Sequence, residues 1–173
     1  SIAILDFGSQ YAQIIARRVR EVQVYCELFP WDASIGDILA ISPKGFILSG
    51  GPRSVYEKNA PYIQDFIFKT GLPILGICYG MQALTHALGG DVASSQNREY
   101  GHAEIQPLIS DSLVSSLSKV WMSHGDRITR MPDGFIALAN SGNSPFAAIG
   151  NLDRKYFGVQ FHPEVNHTPN GSQ

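Results

Sequence analysis

A short apolar run that ends in a glycine-flanked cysteine constrains the fold of this chain more than any other feature. The run is Pro73–Ile77, it leads into the motif GICYG at Gly76–Gly80, and helical spacing follows over Met81–Leu88. Continuous apolar character is typical of a strand that is covered on both faces. Glycines on both sides of the cysteine permit the close backbone approach of a tight strand-to-helix turn. The segment therefore predicts a G-x-nucleophile-x-G elbow with cysteine at its tip.

The rest of the first half of the chain alternates between strand and helix signals. Apolar runs that stop at turn residues predict strands, and apolar residues at helical spacing predict helices, with Ser9 as the N-cap of the first helix. The predicted strands are Ile2–Leu5, Val22–Phe29 and Gly45–Leu48, and the predicted helices are Ser9–Glu21, Ile35–Ala40 and Asn59–Lys69. This order favours a parallel sheet with helices on both faces.

The second half consists mainly of strand signals with turn residues between them, which favours hairpins. The predicted strands are Ala103–Leu108, Lys119–Met122, Phe135–Asn140, Phe146–Ile149 and Tyr156–Phe161, with one short helix at Ser112–Leu117. We therefore expect an α/β fold: a doubly wound, mostly parallel central sheet with helices on both faces and added antiparallel strands.

Composition and charge argue against several function classes. The chain has 173 residues, enough for one domain, and a net charge of −2. Its densest basic cluster, Arg17, Arg18 and Arg20, lies on a predicted helix, so we expect a solvated face and no nucleic-acid partner. No apolar run reaches the roughly 18–20 residues of a membrane span, and Ser1–Asp6 shows no signal-peptide pattern. We therefore expect no membrane association and a cytoplasmic protein.

The cysteines and histidines give no pattern for a disulfide framework or a metal site. Cys26 and Cys78 stand in different contexts, as reduced thiols of a cytoplasmic protein would. Four histidines lack metal-ligand spacing beside cysteine or a carboxylate cluster, so we expect no metal. They are His86, His102, His124 and His167.

The position of Cys78 suits a nucleophile. A thiol at a helix N-terminus is favoured in its charged form, because the helix dipole stabilises negative charge there. The N–H of Tyr79 has no partner within the helix and can face a developing oxyanion. The pentapeptide alone also fits a buried core cysteine, so this alternative stays open at this point.

A second motif supplies the base that such a cysteine needs. In Phe161-His162-Pro163-Glu164 the side chains of His162 and Glu164 would point to the same side of an extended segment. Glu164 could then hold one ring nitrogen of His162 while the other faces sulfur, as in other activated nucleophiles. The motif follows a predicted strand, and ligands of α/β sheets bind at the carboxyl ends of strands.

A glycine loop completes the predicted site. In Ser49-Gly50-Gly51-Pro52 the two glycines allow backbone N–H groups to approach a ligand, and Gly51 could supply a second oxyanion donor. The loop resembles a phosphate-binding S-G-G-x-D-S loop only faintly, because Pro52 removes a donor and the acidic residue is missing. No G-x-x-x-x-G-K-[ST] occurs in the chain. We therefore expect no ATP site in this chain.

Taken together, the elbow through Gln82, the loop Ser49–Pro52 and the closing Gly158–Glu164 resemble the class I (triad) glutamine amidotransferases. The resemblance covers almost the whole chain. It implies that Cys78 attacks the side-chain amide of glutamine, that His162 shuttles the proton and that Glu164 orients His162. Ammonia leaves, and water hydrolyses the γ-glutamyl thioester.

Two further segments make the resemblance specific to one group of enzymes within this family. Asp6–Tyr11 and Trp121–Asp126 are similar to the amidotransferase domains of GMP synthetases, in which ammonia aminates adenylylated XMP. This likeness implies that residues 1–173 are a single amidotransferase domain, without the ATP-pyrophosphatase and dimerisation domains of such enzymes. It also places a set of residues around bound L-glutamine: Gly50, Gln82, Ser123, His124, Gly125 and Asp126.

The same likeness implies which partners and cofactors to expect. The partner is an ATP-pyrophosphatase (synthetase) domain, in the same chain or as a separate subunit, and the full enzyme would form a homodimer. ATP and Mg are expected in that partner and no cofactor in this domain. Arg98-Glu99-Tyr100-Gly101 also matches the family, without a catalytic role that we can assign.

Three alternatives remain open on sequence grounds. The same chemistry could serve anthranilate, CTP or carbamoyl phosphate synthesis, although Asp6–Tyr11 and Trp121–Asp126 argue against these acceptors. A stand-alone γ-glutamyl hydrolase would need no partner. A binding module without activity would not require an intact Cys78, His162 and Glu164.

Overall fold

The apolar runs of the first half form strands that lie side by side in parallel and alternate with helices. We describe this from a computed structural model, which covers residues 1–110 and 112–173. The strands are β1 Ile2–Asp6, β2 Cys26–Pro30, β3 Phe46–Leu48 and β4 Ile74–Ile77, and the helices are α1 Ala12–Glu21, α2 Ile35–Ala40, α3 Asp65–Lys69 and α4 Tyr79–Ala87.

The second half adds antiparallel strands and then returns to the parallel core. Its strands are β5 Asp91–Pro107, β6 Lys119–Arg130, β7 Ile136–Ser141, β8 Ser144–Asn151 and β9 Tyr156–Val159. The sheet order is β2-β1-β3-β4-β9-β8-β7-β5-β6. Strand β9 pairs in parallel with β4, with Gly76 opposite Gly158, and antiparallel with β8. Because β4 and β9 run side by side, the residues that follow them emerge at the same edge of the sheet.

Helices cover both faces of the parallel core. Along β1, Leu5 belongs to an apolar cluster with Ile38 of α2 and Leu84 of α4. Its neighbour Ile4 belongs to a second cluster, which contains Ile15 of α1. This alternation, which follows from the strand geometry, confirms the expected fold class: a parallel core with antiparallel additions.

The boundaries of two helices differ from the prediction. Helix α1 begins at Ala12 without a side-chain cap, because the Ser9 hydroxyl accepts the Tyr11 N–H at 3.0 Å in the turn before it. Ser9 is therefore not the N-cap. Helix α3 is shorter than Asn59–Lys69, since Asn59 adopts φ 61°, outside the helical region, and the helix begins only at Asp65.

The second half of the chain differs more from the prediction than the first half does. Residues 112–117 form turns rather than the predicted helix. Strands β5 and β6 are much longer than predicted and form a hairpin in which Glu99 pairs with His124. Much of β5 is polar and exposed, so its sequence carries little strand signal and the pairing itself defines it.

Within residues 1–110 and 112–173, no helix is long and apolar enough to cross a membrane.

Candidate active site

The elbow at Cys78 is a tight strand-to-helix turn. Cys78 has φ 54° and ψ −108°, and its N–H donates to the Val159 carbonyl at 2.8 Å. Strained backbone of this kind costs on the order of 1–3 kcal/mol and persists where the surroundings impose it. Here a side chain at Gly80 would place its Cβ 2.4 Å from the Leu48 carbonyl oxygen. The absence of a side chain lets α4 press against β3, and this contact presents the thiol at the sheet edge.

His162 and Glu164 form a buried pair beside the elbow. His162 Nδ1 lies 2.7 Å from Glu164 Oε1, and each residue is only 4% exposed. Burial lowers the pKa of His162, but hydrogen bonds to Cys78 and Glu164 and the charges of both raise it to about 10. The pair therefore favours an imidazolium at neutral pH, held between the carboxylate and the sulfur.

The backbone of His162 is fixed from the antiparallel half. Its N–H donates to the Trp121 carbonyl at 2.9 Å, and its carbonyl accepts the Thr168 hydroxyl at 2.7 Å. That hydroxyl in turn accepts the Trp121 N–H at 2.8 Å. The ring of Tyr11 meets the imidazole edge to face, with centroids 5.0 Å apart. The backbone of Trp121 on strand β6 thus fixes the position of His162 beside the cysteine.

The two predicted oxyanion donors lie at this edge. Tyr79 is the first residue of α4, so its N–H has no partner within the helix. Gly51 packs so closely that a Cβ would lie 2.4 Å from the Phe7 carbonyl oxygen. A Cβ at Gly50 would lie 3.1 Å from His162 Cε1. Gly51 therefore lets the loop pack against the backbone just after β1, and Gly50 lets the loop approach His162.

A cavity of about 550 Å³ opens at the elbow. Glu164 lies behind His162, and Gly50 packs against its ring. The other predicted site residues line the cavity: Gly51, Cys78, Tyr79, Gln82, Ser123, His124, Gly125, Asp126 and His162. The structure thus brings all the predicted site residues together.

The wall formed by β6 is held by a buried polar network. The Asp126 carboxylate accepts the hydroxyls of Ser54 and Tyr56. His124 Nδ1 lies 2.6 Å from the Asp126 carbonyl and Nε2 lies 3.1 Å from Glu99 Oε2. Burial raises the pKa of Glu99, but the hydrogen bonds from His124 and Ser141 outweigh it and lower the pKa below its usual value. Glu99 is thus an ionised anchor of the wall.

Sequence reasoning missed several residues of the cavity. Among them are Tyr11, Ser54, Tyr56, Arg98 and Tyr100. Three of these belong to the motifs Asp6–Tyr11 and Arg98–Gly101, so a signal exists for their positions. Ser54 and Tyr56 lie in an irregular loop that carries no comparable signal. Among the described residues, no group of three or more His, Cys, Asp and Glu side chains is arranged to hold a metal ion.

A thiol at a helix N-terminus, with a histidine and a buried carboxylate behind it, is the arrangement of enzymes that transfer acyl groups through a cysteine nucleophile. Comparison with protein families agrees with this class. The sequence profile of the family "Glutamine amidotransferase class-I" matches residues 3–173. The chain belongs to the class I glutamine amidotransferases, which confirms the predicted family.

Curated relatives match the chain over nearly all of its length. Glutamine-hydrolyzing GMP synthase from Dehalococcoides mccartyi is 57% identical over an alignment of 175 positions, which covers 99% of this chain and 33% of that protein. The protein of the same name from Thermosipho melanesiensis is 52% identical over an alignment of 176 positions, which covers 100% of this chain and 34% of that protein. The chain thus spans about a third of the length of the curated relatives it matches.

Solved structures share the fold. A Thermoplasma acidophilum protein, provisionally described as one of the subunits of a GMP synthase, has a TM-score of 0.82 and 28% identity, covering 99% of this chain and 87% of its own. A glutamine amidotransferase from Thermotoga maritima has a TM-score of 0.73 and 20% identity, covering 95% of this chain and 76% of its own. The second comparison supports the fold alone.

Proposed function

We propose that this chain hydrolyses the side-chain amide of L-glutamine and supplies the ammonia for amination of XMP to GMP by a synthetase partner. The observation that carries the glutaminase part is the convergence of Cys78, His162 and Glu164 at one cavity. The acceptor follows from the relatives, which are named glutamine-hydrolyzing GMP synthases.

In the first step the Cys78 thiolate attacks the amide carbon of glutamine. A carbon–sulfur bond forms, and the carbonyl electron pair moves onto oxygen. The N–H groups of Tyr79 and Gly51 stabilise this oxyanion. Removal of one such donor typically costs about 10²–10³ in rate.

In the second step the oxyanion collapses and the carbon–nitrogen bond breaks. The His162 imidazolium gives its proton to the leaving nitrogen, which departs as ammonia and leaves a γ-glutamyl thioester. Neutral His162 then takes a proton from water as the water attacks the thioester. Glutamate leaves, the thiolate is restored and His162 is again an imidazolium oriented by Glu164.

The remaining cavity residues bind the amino-acid part of the substrate. The Asp126 carboxylate suits the α-ammonium of glutamine, and the guanidinium of Arg98 suits the α-carboxylate. Both side chains line the same cavity as Cys78. Further contacts come from Gly50, Gln82, Ser123, His124 and Gly125.

Residues 1–173 act as a single amidotransferase domain in this proposal. ATP and Mg bind to the synthetase part, in the same chain or in a separate one, and the amidotransferase domain itself uses no cofactor. The full enzyme is a homodimer in the cytoplasm. Support for a synthetase part comes from the curated relatives, which are about three times as long as the stretch that they share with this chain.

Labelling with a diazoketone analogue of glutamine tests the nucleophile. The analogue should modify Cys78, which lines the cavity, and leave Cys26 untouched, because Cys26 lies outside the cavity and its buried thiol donates to the Ala16 carbonyl. Mass spectrometry of the two cysteine peptides reads the result. Equal labelling of both cysteines, or labelling of Cys26 alone, contradicts the assignment.

An ammonia-release assay tests the acceptor. Glutamine hydrolysis is measured for residues 1–173 alone and with the synthetase part, ATP and XMP, using Cys78→Ser as the inactive control. We expect slow hydrolysis alone and faster hydrolysis coupled to GMP formation in the complete system. Fast turnover of γ-glutamyl peptides without a partner would instead indicate a stand-alone hydrolase.

A further inference from the structure

Gln160 is a fully buried polar residue that the proposed mechanism does not use. It is 0% exposed and lies one residue beyond β9, between that strand and the histidine. Its side-chain nitrogen Nε2 lies 3.7 Å from Cys78 Sγ, within hydrogen-bond range for sulfur. A buried amide needs partners for both of its ends, so its neighbours decide which end faces the thiol.

A chain of hydrogen bonds determines the orientation of this amide. Gln82 Nε2 donates to the Asp126 backbone carbonyl at 3.4 Å and to Gln160 Oε1 at 3.2 Å. The Asp126 carbonyl can only accept a hydrogen bond, so the Gln82 amide must face it with its nitrogen. Because the same nitrogen also contacts the Gln160 amide, Gln160 must face Gln82 with its oxygen. The Gln160 amide is therefore turned so that its N–H groups face Cys78.

We infer that Gln160 is a further catalytic residue, whose amide donates a hydrogen bond to the Cys78 sulfur and stabilises the thiolate. A hydrogen bond to the charged form of a group favours that form. A further polar contact of the sulfur, besides those with His162 and Gln160, is with the Ser123 carbonyl at 3.7 Å, and it suits the neutral thiol, which donates there. Gln160 is thus complementary to the ionised state and Ser123 to the neutral one.

The inference rests on the proposed role of Cys78 as nucleophile, but its test does not need glutamine. Gln160→Met removes the donor at nearly constant volume. The rate of Cys78 alkylation by iodoacetamide is measured from pH 5 to 10, with the Cys78 peptide quantified by mass spectrometry. In this reaction the thiolate displaces iodide, so the rate follows the thiolate fraction.

We expect the alkylation profile of Gln160→Met to lie at higher pH than that of the parent, by about one pH unit. Below the midpoint this corresponds to about tenfold slower alkylation, the effect of a one-unit displacement. The matched control is Gln64→Met, which removes an amide that donates to the carbonyls of Trp31 and Ala33. These two residues follow the edge strand β2, away from Cys78. The profile of Gln64→Met should coincide with that of the parent.

Titratable groups around the sulfur are the same in all these proteins, so they cannot produce the displacement. Those that line the cavity with Cys78 are Tyr11, Arg53, Tyr56, Tyr79, Arg98, Tyr100, His124, Asp126 and His162, and Glu164 lies behind His162. If Gln160→Met does not fold, Gln160→Leu, which also lacks a donor and a charge, is measured in its place. It should displace the profile in the same direction.

Coincident profiles of the parent and the folded Gln160 variant would overturn the inference and leave Gln160 a structural residue. A Cys78 that reacts at no pH in the parent would also overturn it. A displaced profile in a protein that releases no ammonia from glutamine would uphold the inference and contradict the proposed function. The two failures are therefore distinguishable.

Discussion

The parallel and antiparallel halves of the sheet hold their parts of the site in different ways. At the elbow the backbone of α4 touches β3 directly, and there is no room for a Cβ at Gly80. On β6 the positions of His124 and Asp126 depend on side-chain hydrogen bonds to Glu99, Ser54 and Tyr56. One region is fixed by backbone contact and the other by a buried polar network.

This difference indicates a division of roles. Backbone contact allows no adjustment, which suits the groups whose positions determine whether the reaction occurs. A polar network of exchangeable side chains suits the wall that recognises the substrate. We therefore expect changes in the parallel core to affect kcat or stability, and changes on β6 to affect KM. Four variants test this expected difference between the two halves.

The largest effect is expected for His162→Ala at the end of the parallel core. General acid–base catalysis contributes about 10²–10⁴-fold, so glutaminase kcat should fall by at least that range. The variant also leaves the buried Glu164 carboxylate without its partner, so circular dichroism must show that it is folded. His86→Ala, on the exposed face of the elbow helix, is the control and should keep the parent rate. A near-normal rate for His162→Ala would disprove the role.

Glu164→Gln should reduce the rate less and change its pH dependence. The pKa of His162 is about 10 in the parent, so the imidazolium that protonates the leaving nitrogen is present below that pH and lost above it. Removing the Glu164 charge removes one cause of the raised pKa. The basic limb of the pH–rate profile should therefore move from near pH 10 toward the reference value of about 6.5. An unmoved limb would show that Glu164 does not act through His162.

Gly80→Ala tests the backbone contact at the elbow. Overpacking typically costs about 1–3 kcal/mol, and here the new Cβ would meet the Leu48 carbonyl rather than a flexible side chain. We expect a lower melting temperature and reduced alkylation of Cys78. Gly36→Ala in α2, where nothing lies within 4 Å of the added Cβ, is the matched control. Gly36→Ala should be neutral or slightly stabilising. Equal melting temperatures of Gly80→Ala and Gly36→Ala would contradict the idea that backbone contact fixes the parallel half of the sheet.

Asp126→Asn should have the smallest effect, confined to binding. The change keeps the shape of the side chain but removes its charge and one acceptor for the Ser54 and Tyr56 hydroxyls. We expect KM for glutamine to rise about tenfold, since hydrogen bonds to charged groups contribute roughly 1.5–3 kcal/mol, with kcat nearly unchanged. Asp91→Asn, in an exposed ion pair with Arg130, is the control. A fall in kcat at constant KM would place Asp126 with the reacting groups instead.

Prediction from sequence worked best where a local pattern determines local structure. The strand β4, the helix α2 and the elbow at Cys78 were predicted close to their observed bounds, because apolar runs and glycines act over a few residues. The hairpin of β5 and β6 was predicted only in part, as the strands Ala103–Leu108 and Lys119–Met122. The rest of β5 is largely polar and exposed and is a strand only because it pairs with β6, and this pairing does not show in the β5 segment alone.

The elbow, the class of nucleophile and the family could be predicted from the sequence, since they depend on residues that are neighbours in the chain. Only the folded chain shows that Thr168 and Trp121 hold the backbone of His162 and that Gln82 orients Gln160 toward the thiol. These contacts join residues that are 47 and 78 positions apart. Hydrogen bonds over such separations form only once β9 has paired with β4, and no short sequence pattern specifies this pairing.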